Sequence, residues 1–374
     1  MRGPDHEVAI IGAGPVGMLL ACLLAQDGRD VVVFEQRPSS SERGRAIGVH
    51  PPGLAALAAA GIAGRLRKQA LCLDGGEVLS EGRILARMDF PPEHPVHTLP
   101  QQRVDALLSA RFEEFTEGVQ RGRRVRAVTP DGGQMRLAVD AQEVTASLVI
   151  AADGVRSERR GDVGIGWRRR PGRADYVMVD VDDPGTDAQA RLFLEPSGLV
   201  ESFPLPDGRR RWVLFQAPEE PIRSVADLRR VIAARTGEAP MIPDDTELSE
   251  FRAQQHCAAR FVHGRMILLG DAAHETSPIG GQGMNLGWVH AQRLAAAIRQ
   301  GGALGGTQLA PLLDLWEGRA LRAARRAQRR SAFYMAMGRP ANALTLPFRD
   351  LLVRTLGSDA LREHTAAAIT MRRV

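Results

Sequence analysis

The sequence is poor in several residue types, and each shortage excludes a class of protein. Lys68 is the only lysine among 49 basic residues. The three cysteines, Cys22, Cys72 and Cys257, lie far apart in the chain. Such spacing forms neither a disulfide framework nor a metal-ligand pattern, and it predicts a protein of the reducing cytoplasm. No apolar run of about eighteen residues is free of charges, glycine and proline, so we expect no membrane span.

Charge balance and aromatic content further limit the classes of function that the sequence allows. The 44 acidic residues leave a net charge of only +5, which does not indicate nucleic-acid binding despite the arginine-rich composition. Tyrosine occurs only at Tyr176 and Tyr334, so a tyrosine that activates a phenolic substrate is not obvious. The hydrophobic fraction of 44% is ample for a packed core, and 374 residues exceed the usual size of one domain. Two domains are therefore expected.

The first part of the chain alternates between strand and helix patterns. Residues 8–11 and 31–34 are short apolar runs typical of buried strands, and residues 18–25 between them predict a helix. This β-α-β unit implies a parallel sheet. Buried strands of the same kind are predicted at residues 148–151 and 266–269.

The pattern changes between these parallel strands. Short β-like runs separated by proline, glycine and aspartate fill residues 176–216 and predict an antiparallel sheet. Helical patterns follow at 285–299 and 308–330. The fold class is predicted as α/β with an inserted sheet domain and a helical C-terminus. The predicted boundaries are 1–75, 98–174 and 258–335 for the first domain, 76–97 and 175–257 for the inserted mixed or antiparallel sheet domain, and 336–374 for the C-terminal helical segment.

A glycine-rich turn follows the first predicted strand. Gly12, Gly14 and Gly17 stand in the order G-x-G-x-x-G between that strand and the helix. The first glycine permits a tight turn, the second lets the backbone approach a pyrophosphate, and the third lets helix and strand pack closely. Glu35 ends the second strand, where a carboxylate accepts hydrogen bonds from a ribose. The arrangement predicts a Rossmann-like site for FAD or NAD rather than NADP.

Two further motifs follow the later buried strands. Asp153-Gly154 comes after one of them and Gly270-Asp271 after the other. Open α/β sheets bind ligands at the carboxyl ends of their strands, and Asp271 is suited to accept hydrogen bonds from a polyol. The glycine-rich stretch 278–285, at a helix start predicted near Asn285, is suited to lie against a flat ligand that carries negative charge.

In this order, the three motifs resemble those of the FAD-dependent aromatic hydroxylases of the para-hydroxybenzoate hydroxylase type, the group A flavoprotein monooxygenases. The resemblance covers the chain from residue 8 to about residue 330. It implies that the first domain binds FAD and that the inserted sheet binds the substrate. The residues that it assigns to the cofactor are Gly12, Gly14, Gly17, Glu35, Arg45, Gln101 (with Gln102 as the alternative), Asp153, Gly154, Asp271, Pro278, Gly281, Gly283, Met284 and Asn285.

The resemblance also implies a reaction. NADPH or NADH binds transiently and reduces FAD, and the reduced flavin reacts with O2 to give a C4a-hydroperoxide that hydroxylates an aromatic or polyketide-like small molecule, in secondary metabolism. Because the flavin performs the chemistry, no catalytic side chain is assigned. Baeyer–Villiger insertion or epoxidation on the same scaffold, and a flavin-binding relative without turnover, are the alternatives.

Four polar side chains are candidates for the substrate pocket: His50, Arg252, Gln254 and His256. The last three alternate along one predicted strand and therefore share a face, while residues 251, 253 and 255 share the other. The alternation does not tell which face lies inside. The sequence gives no indication of the oligomeric state.

Overall fold

The computed structural model describes residues 3–39, 44, 46–185, 187–304 and 306–372. Within these ranges the chain forms 19 strands and ten α-helices. In chain order, the strands are β1 (His6–Ile11), β2 (Val31–Glu35), β3 (Gly48–Val49), β4 (Leu71–Leu73), β5 (Gly75–Ser80), β6 (Arg83–Asp89), β7 (Val96–Thr98), β8 (Gln120–Arg121), β9 (Val125–Asp131), β10 (Gln134–Val139), β11 (Gln142–Ala151), β12 (Trp167–Asp182), β13 (Gln189–Glu195), β14 (Gly198–Leu205), β15 (Arg209–Gln216), β16 (Ser249–Ala258), β17 (Val262–His263), β18 (Met266–Leu268) and β19 (His274–Glu275). The helices are α1 (Pro15–Gln26), α2 (Pro51–Ala59), α3 (Ala63–Arg67), α4 (Gln101–Glu113), α5 (Arg159–Asp162), α6 (Val225–Thr236), α7 (Gln282–Gly301), α8 (Leu309–Met337), α9 (Leu346–Leu356) and α10 (Asp359–Ile369).

The first sheet has the strand order β17-β18-β11-β1-β2-β8, with the β9–β10 hairpin attached to β11. The five strands from β18 to β8 run parallel. All five residues of β2, Val-Val-Val-Phe-Glu, are buried, as in a parallel strand that is covered on both faces. Helix α1 starts with Pro15, which suits a helix start because proline has no N–H to leave unpaired there. The helix is apolar around most of its surface. These parallel strands and α1 confirm the predicted β-α-β core.

The second sheet has the order β19-β16-β12-β15-β14-β13-β5-β6 and is mixed, because β13 and β5 pair in parallel while the other pairs whose register is resolved are antiparallel. A small third sheet joins β3, β7 and β4. One face of the second sheet packs against α6. The opposite face packs against α8, α9 and Ile279. The predicted α/β class with an inserted mixed sheet is confirmed, and the domain boundaries remain a prediction.

Helix α7 begins earlier in the chain than the sequence predicts. The helix begins at Gln282, three residues before the predicted start near Asn285. The glycines of this stretch suggested a loop, but only Gly280 and Gly281 have positive φ angles, of 87° and 63°. Gly283 already lies in the first turn of α7, so the helix N-terminus falls within the predicted cofactor loop.

None of the described helices is both long enough and apolar enough to cross a membrane.

Candidate functional site

Four parallel strands end at one edge of the first sheet, and a predicted site residue lies at each end. Gly12 follows β1, Glu35 ends β2, Asp153 follows β11 and Asp271 follows β18. These four strands are neighbours in the order β18-β11-β1-β2. Their carboxyl ends therefore form one continuous edge, where open α/β sheets bind ligands.

The three glycines of the first turn differ in what surrounds them. Gly12 has a φ of 104°, and a Cβ there would lie 2.5 Å from the Ala152 carbonyl oxygen. A Cβ on Gly17 would lie 2.5 Å from the Gly12 carbonyl oxygen, so both positions require close backbone approach. A Cβ on Gly14 would meet no atom within 4 Å. The space beside Gly14, at the start of α1, is therefore free for a phosphate group that the helix N-terminus attracts.

Glu35 is buried and ionised at the end of β2. Its carboxylate accepts hydrogen bonds from the Ala13 N–H at 3.0 Å and the Arg37 N–H at 2.9 Å. Burial opposes ionisation, but donation by these N–H groups outweighs it and holds the pKa of Glu35 below its usual value. A carboxylate has lone pairs for further donors, so Glu35 fits a ribose that donates two hydroxyls.

Two aspartates at the strand ends have carboxyl oxygens that can accept further hydrogen bonds. Asp153 Oδ1 is buried and has no hydrogen-bond partner among the residues that the structure describes, and burial raises the pKa of this carboxyl. Asp271 is exposed to solvent, yet the surrounding protein raises its pKa to about 6, with a smaller contribution from Glu275. Both residues fit a ligand rich in hydroxyl donors, such as the ribityl and ribose parts of FAD.

The stretch 278–285 forms a turn that leads into α7. The Gly281 N–H donates to the Pro278 carbonyl at 2.9 Å, and Gly281 is the N-cap residue without any side-chain cap. The first N–H groups of this 20-residue helix therefore remain available to an anion, together with the positive end of the helix dipole. A Cβ on Gly283 would lie 3.6 Å from Thr276 Cβ, an ordinary contact. Gly283 is thus not required by packing within the protein, and Met284 follows it in the same turn.

Asn285 links this turn to the backbone of His50 and Gly48 through hydrogen bonds. Asn285 Oδ1 accepts the His50 N–H at 2.9 Å, and Asn285 Nδ2 donates to the carbonyls of Gly48 and Gly281, each at 2.9 Å. The His50 ring is buried, and a Cβ on Gly281 would lie 3.0 Å from its Nε2. Burial lowers the pKa of His50 to about 4, so the ring is neutral. The amide of Asn285 is therefore used inside the protein, where it fixes the turn.

Gln101 lies at the start of α4, beside the segment that carries Arg45. Its N–H donates to the Ala46 carbonyl at 3.1 Å, and a Cβ on Gly44 would lie 2.8 Å from Gln101 Cβ and 3.2 Å from Gln102 Cδ. Both glutamines thus adjoin the same backbone. Arg45 itself lies outside the described residues.

Three of the four pocket candidates point away from the turn. Arg252 is half exposed and its Nε lies 2.6 Å from Asp175 Oδ1, while His256 Nδ1 lies 2.7 Å from Glu275 Oε2. The neighbours of Arg252 on β16, Phe251 and Ala253, belong to the cluster that includes Ile279 of the turn. The inner face of β16 is therefore the one with residues 251, 253 and 255, and Arg252, Gln254 and His256 lie on the other face.

Two side chains that the sequence analysis missed hold the motifs together. Arg160 Nη1 donates to the Ala272 carbonyl at 2.9 Å and Arg160 Nη2 donates to the Val155 carbonyl at 2.6 Å, which joins the second motif to the third. Gln255 donates to the Gln328 carbonyl at 2.9 Å and accepts the Ser277 N–H at 3.4 Å. Arginine is so common in this chain that Arg160 gave no signal, and a buried glutamine on a strand resembles a surface residue in sequence.

The raised pKa of Asp271 predicts a pH-dependent effect of Asp271→Asn on the FAD-free protein. Below pH 3.8 the carboxyl is protonated in both the folded and the unfolded chain, whereas above its folded pKa of about 6 ionisation destabilises the folded chain. Asparagine removes that cost. We therefore expect the thermal midpoint of the variant to exceed that of the wild type at pH 8, with a smaller difference at pH 5.

Thermal unfolding of the FAD-free proteins at both pH values checks this prediction. Asp89→Asn, at an exposed position of β6, serves as the control and should show no gain at either pH. An equal gain for Asp271→Asn at pH 5 and pH 8 would contradict the assigned pKa.

Comparison with known sequences agrees with this geometry. The profile of the family described as FAD binding domain matches residues 5–331. The chain is 29% identical to a 12-dehydrotetracycline 5-monooxygenase/anhydrotetracycline 6-monooxygenase of Streptomyces rimosus, over 83% of this chain and 66% of that protein. It is 31% identical to a para-nitrophenol 4-monooxygenase of a Pseudomonas species, over 78% of this chain and 77% of that protein. The chain thus spans just under two thirds of the length of the tetracycline relative.

Solved structures with the same fold include two enzymes of similar kind. A p-nitrophenol 4-monooxygenase from Pseudomonas putida superposes with a TM-score of 0.84 and 25% identity, over 99% of each chain. An anhydrotetracycline hydroxylase from Streptomyces rimosus superposes with a TM-score of 0.77 and 26% identity, over 99% of this chain and 76% of that one. The match over residues 5–331 and the three motifs at one sheet edge lead to the same assignment. The chain belongs to the FAD-binding-domain family of the FAD-dependent aromatic hydroxylases.

Proposed function

We propose that the protein is an FAD- and NAD(P)H-dependent monooxygenase that hydroxylates an aromatic or polyketide-like small molecule. The observation that carries the proposal is the convergence of Gly14, Glu35, Asp153 and Asp271 at one sheet edge, next to the N-terminus of α7. Relatives of this chain are named para-nitrophenol 4-monooxygenase and 6-methylpretetramide 4-monooxygenase. Synthesis of a secondary metabolite is the setting that the tetracycline relatives favour.

Different residues of the site would bind different parts of FAD. Gly14 and the start of α1 would receive the pyrophosphate, Glu35 the ribose of the adenosine, and Asp271 the ribityl chain. FAD, when bound, supplies the redox chemistry by accepting a hydride from NADPH or NADH and activating O2 for transfer of one oxygen atom. The protein orients the substrate and excludes water.

The N-terminus of α7 has an electrostatic task in this proposal. The N–H groups of the first turn, around Gly283 and Met284, are available to a negatively charged group. Reduction of a flavin places negative charge on its pyrimidine ring. Donors fixed in advance stabilise such charge without reorganisation, so α7 would favour the reduced cofactor.

The inner face of the second sheet fits a mostly apolar substrate. Tyr176, Met178, Phe215 and Phe251 lie on this face in one cluster with Ile279. A planar aromatic or polycyclic molecule seated beside these side chains would find apolar and aromatic contacts. This composition supports an aromatic substrate of medium size.

Product analysis tests the proposed function. The purified protein, supplied with FAD, is incubated with NADPH or NADH, O2 and one of two probes, p-nitrophenol or anhydrotetracycline, the substrates in the names of the relatives. We expect at least one phenolic probe to accelerate NAD(P)H oxidation and to yield an oxygenated product. Its mass rises by one oxygen atom where oxygen replaces a ring hydrogen, whereas nitrite is released where oxygen enters at the nitro-bearing carbon of p-nitrophenol. Slow, probe-independent oxidation with no oxygenated product would contradict the proposal.

A further inference from the structure

The face of the second sheet that meets the stretch 278–285 carries a carboxyl group among its aromatic side chains. Glu201 lies two residues after Leu199 on β14, so the pleat of the strand places both side chains on one face. Leu199 packs in the cluster that contains Ile279. Val213, the register partner of Glu201 on β15, belongs to the same cluster. Glu201 is therefore directed to the side of the sheet on which the stretch 278–285 lies.

The Glu201 carboxyl has no protein partner in the part of the chain that the structure describes. The residue is only 4% exposed, yet none of the described hydrogen bonds or ion pairs involves its side chain. Burial raises the pKa of Glu201 to about 8, so the ligand-free carboxyl is mostly protonated at neutral pH. An acid left in this state lowers the stability of the fold, which points to a partner that arrives from outside.

Tyr176 supplies a second, independent observation. Its hydroxyl is buried on the same face and has no hydrogen-bond partner among the described residues. Burial and the charge of Glu201 raise the pKa of Tyr176, while Arg339 acts in the opposite direction. Tyr176 and Glu201 are thus within electrostatic reach of each other. Two buried polar groups without partners stand on a face that is otherwise rich in apolar side chains.

We propose that Glu201 and Tyr176 form a polar subsite for the substrate, one that selects uncharged aromatic molecules with a hydroxyl or amino donor over aromatic carboxylates. The inference rests on the proposed function, because it places the substrate between this face and the stretch 278–285. Above its pKa of about 8, the ionised Glu201 carboxylate accepts a hydrogen bond that only a donor can supply. A ligand carboxylate would repel the ionised Glu201, which is unfavourable in a buried site. Glu201 is thus a specificity-determining residue.

The experiment compares three probes that share one ring system: 2-naphthol, 2-methoxynaphthalene and 2-naphthoate. Their dissociation constants are measured at pH 8.5, above the pKa of Glu201, with the FAD-loaded protein, without NAD(P)H, from the change in flavin absorbance. We expect wild-type protein to bind 2-naphthol at least about tenfold more tightly than the other two, as for a hydrogen bond to a buried acceptor. Glu201→Leu should abolish this preference. The same variant should also have a higher thermal midpoint, since it removes an unpaired buried carboxyl.

Glu195→Gln is the matched control. Glu195 is buried in the same sheet, but its carboxylate accepts the Glu81 N–H at 3.1 Å, so this variant should keep the preference for 2-naphthol. Equal affinity of the wild type for the three probes, no binding of any probe, or a preference that survives Glu201→Leu would each overturn the subsite. Selective binding of 2-naphthol without oxidation of any phenol would support the subsite and contradict the proposed hydroxylation.

Discussion

Gly14→Val is expected to give a folded protein that binds FAD more weakly. A Cβ at this position meets no protein atom within 4 Å, and the Gly14 backbone, with φ of −75° and ψ of 169°, is extended and suits valine. The branched side chain would occupy the space in which the pyrophosphate approaches the turn. Overpacking of this kind typically costs about 1–3 kcal/mol, so FAD affinity should fall by about 5- to 150-fold.

Equilibrium titration with FAD and thermal unfolding of the FAD-free protein check both halves of this prediction. Gly12→Ala is the contrasting variant, because its Cβ would lie 2.5 Å from the Ala152 carbonyl oxygen at a φ of 104°. It should lose stability even without FAD. Wild-type FAD affinity in Gly14→Val would mean that the turn holds no phosphate.

Asn285→Ala is expected to destabilise the protein and to weaken FAD binding together. The substitution leaves the buried His50 N–H and the carbonyls of Gly48 and Gly281 without their partner. Unsatisfied buried groups cost about 1–3 kcal/mol each, and partial relaxation should leave a total loss of about 2–4 kcal/mol. Because these bonds fix the turn before α7, the proposed site of the flavin ring should shift as well.

Denaturant unfolding and FAD titration measure the two effects of Asn285→Ala. Asn342→Ala is the control, since Asn342 Oδ1 accepts the N–H groups of Leu344 and Thr345 in an exposed turn. It should cost less than about 2 kcal/mol and leave FAD affinity unchanged. If Asn285→Ala lost stability but bound FAD as tightly as wild type, the turn would not contact the cofactor.

The parts of the site predicted from sequence are those in which a local motif fixes its own geometry. Gly12 and Gly17 require backbone contacts that no other residue permits, and Glu35 and Asp271 follow strands whose apolar runs identify them. Parallel pairing then brings the strand ends together without further information. This explains why the fold class and the sheet edge were both predicted from the sequence.

The parts that escaped prediction depend on which elements pack together. Alternation along β16 separates residues 251, 253 and 255 from Arg252 and its neighbours, but only contact with Ile279 defines the inner face. Arg160 joins two motifs because it donates both to the nearby Val155 carbonyl and to the Ala272 carbonyl, which lies far away in the chain. Backbone carbonyls carry no sequence signature, so such contacts appear only in the structure.

The flavin content of the purified protein tests the central claim, that the edge formed by β18, β11, β1 and β2 holds FAD. The protein is purified without added cofactor, denatured by heat, and the released flavin is identified and quantified against the chain, followed by titration of any cofactor-free fraction with FAD. We expect a yellow protein from which non-covalent FAD is released, approaching one molecule per chain after titration. A colourless protein that takes up no FAD in the titration would mean that this sheet edge does not hold FAD.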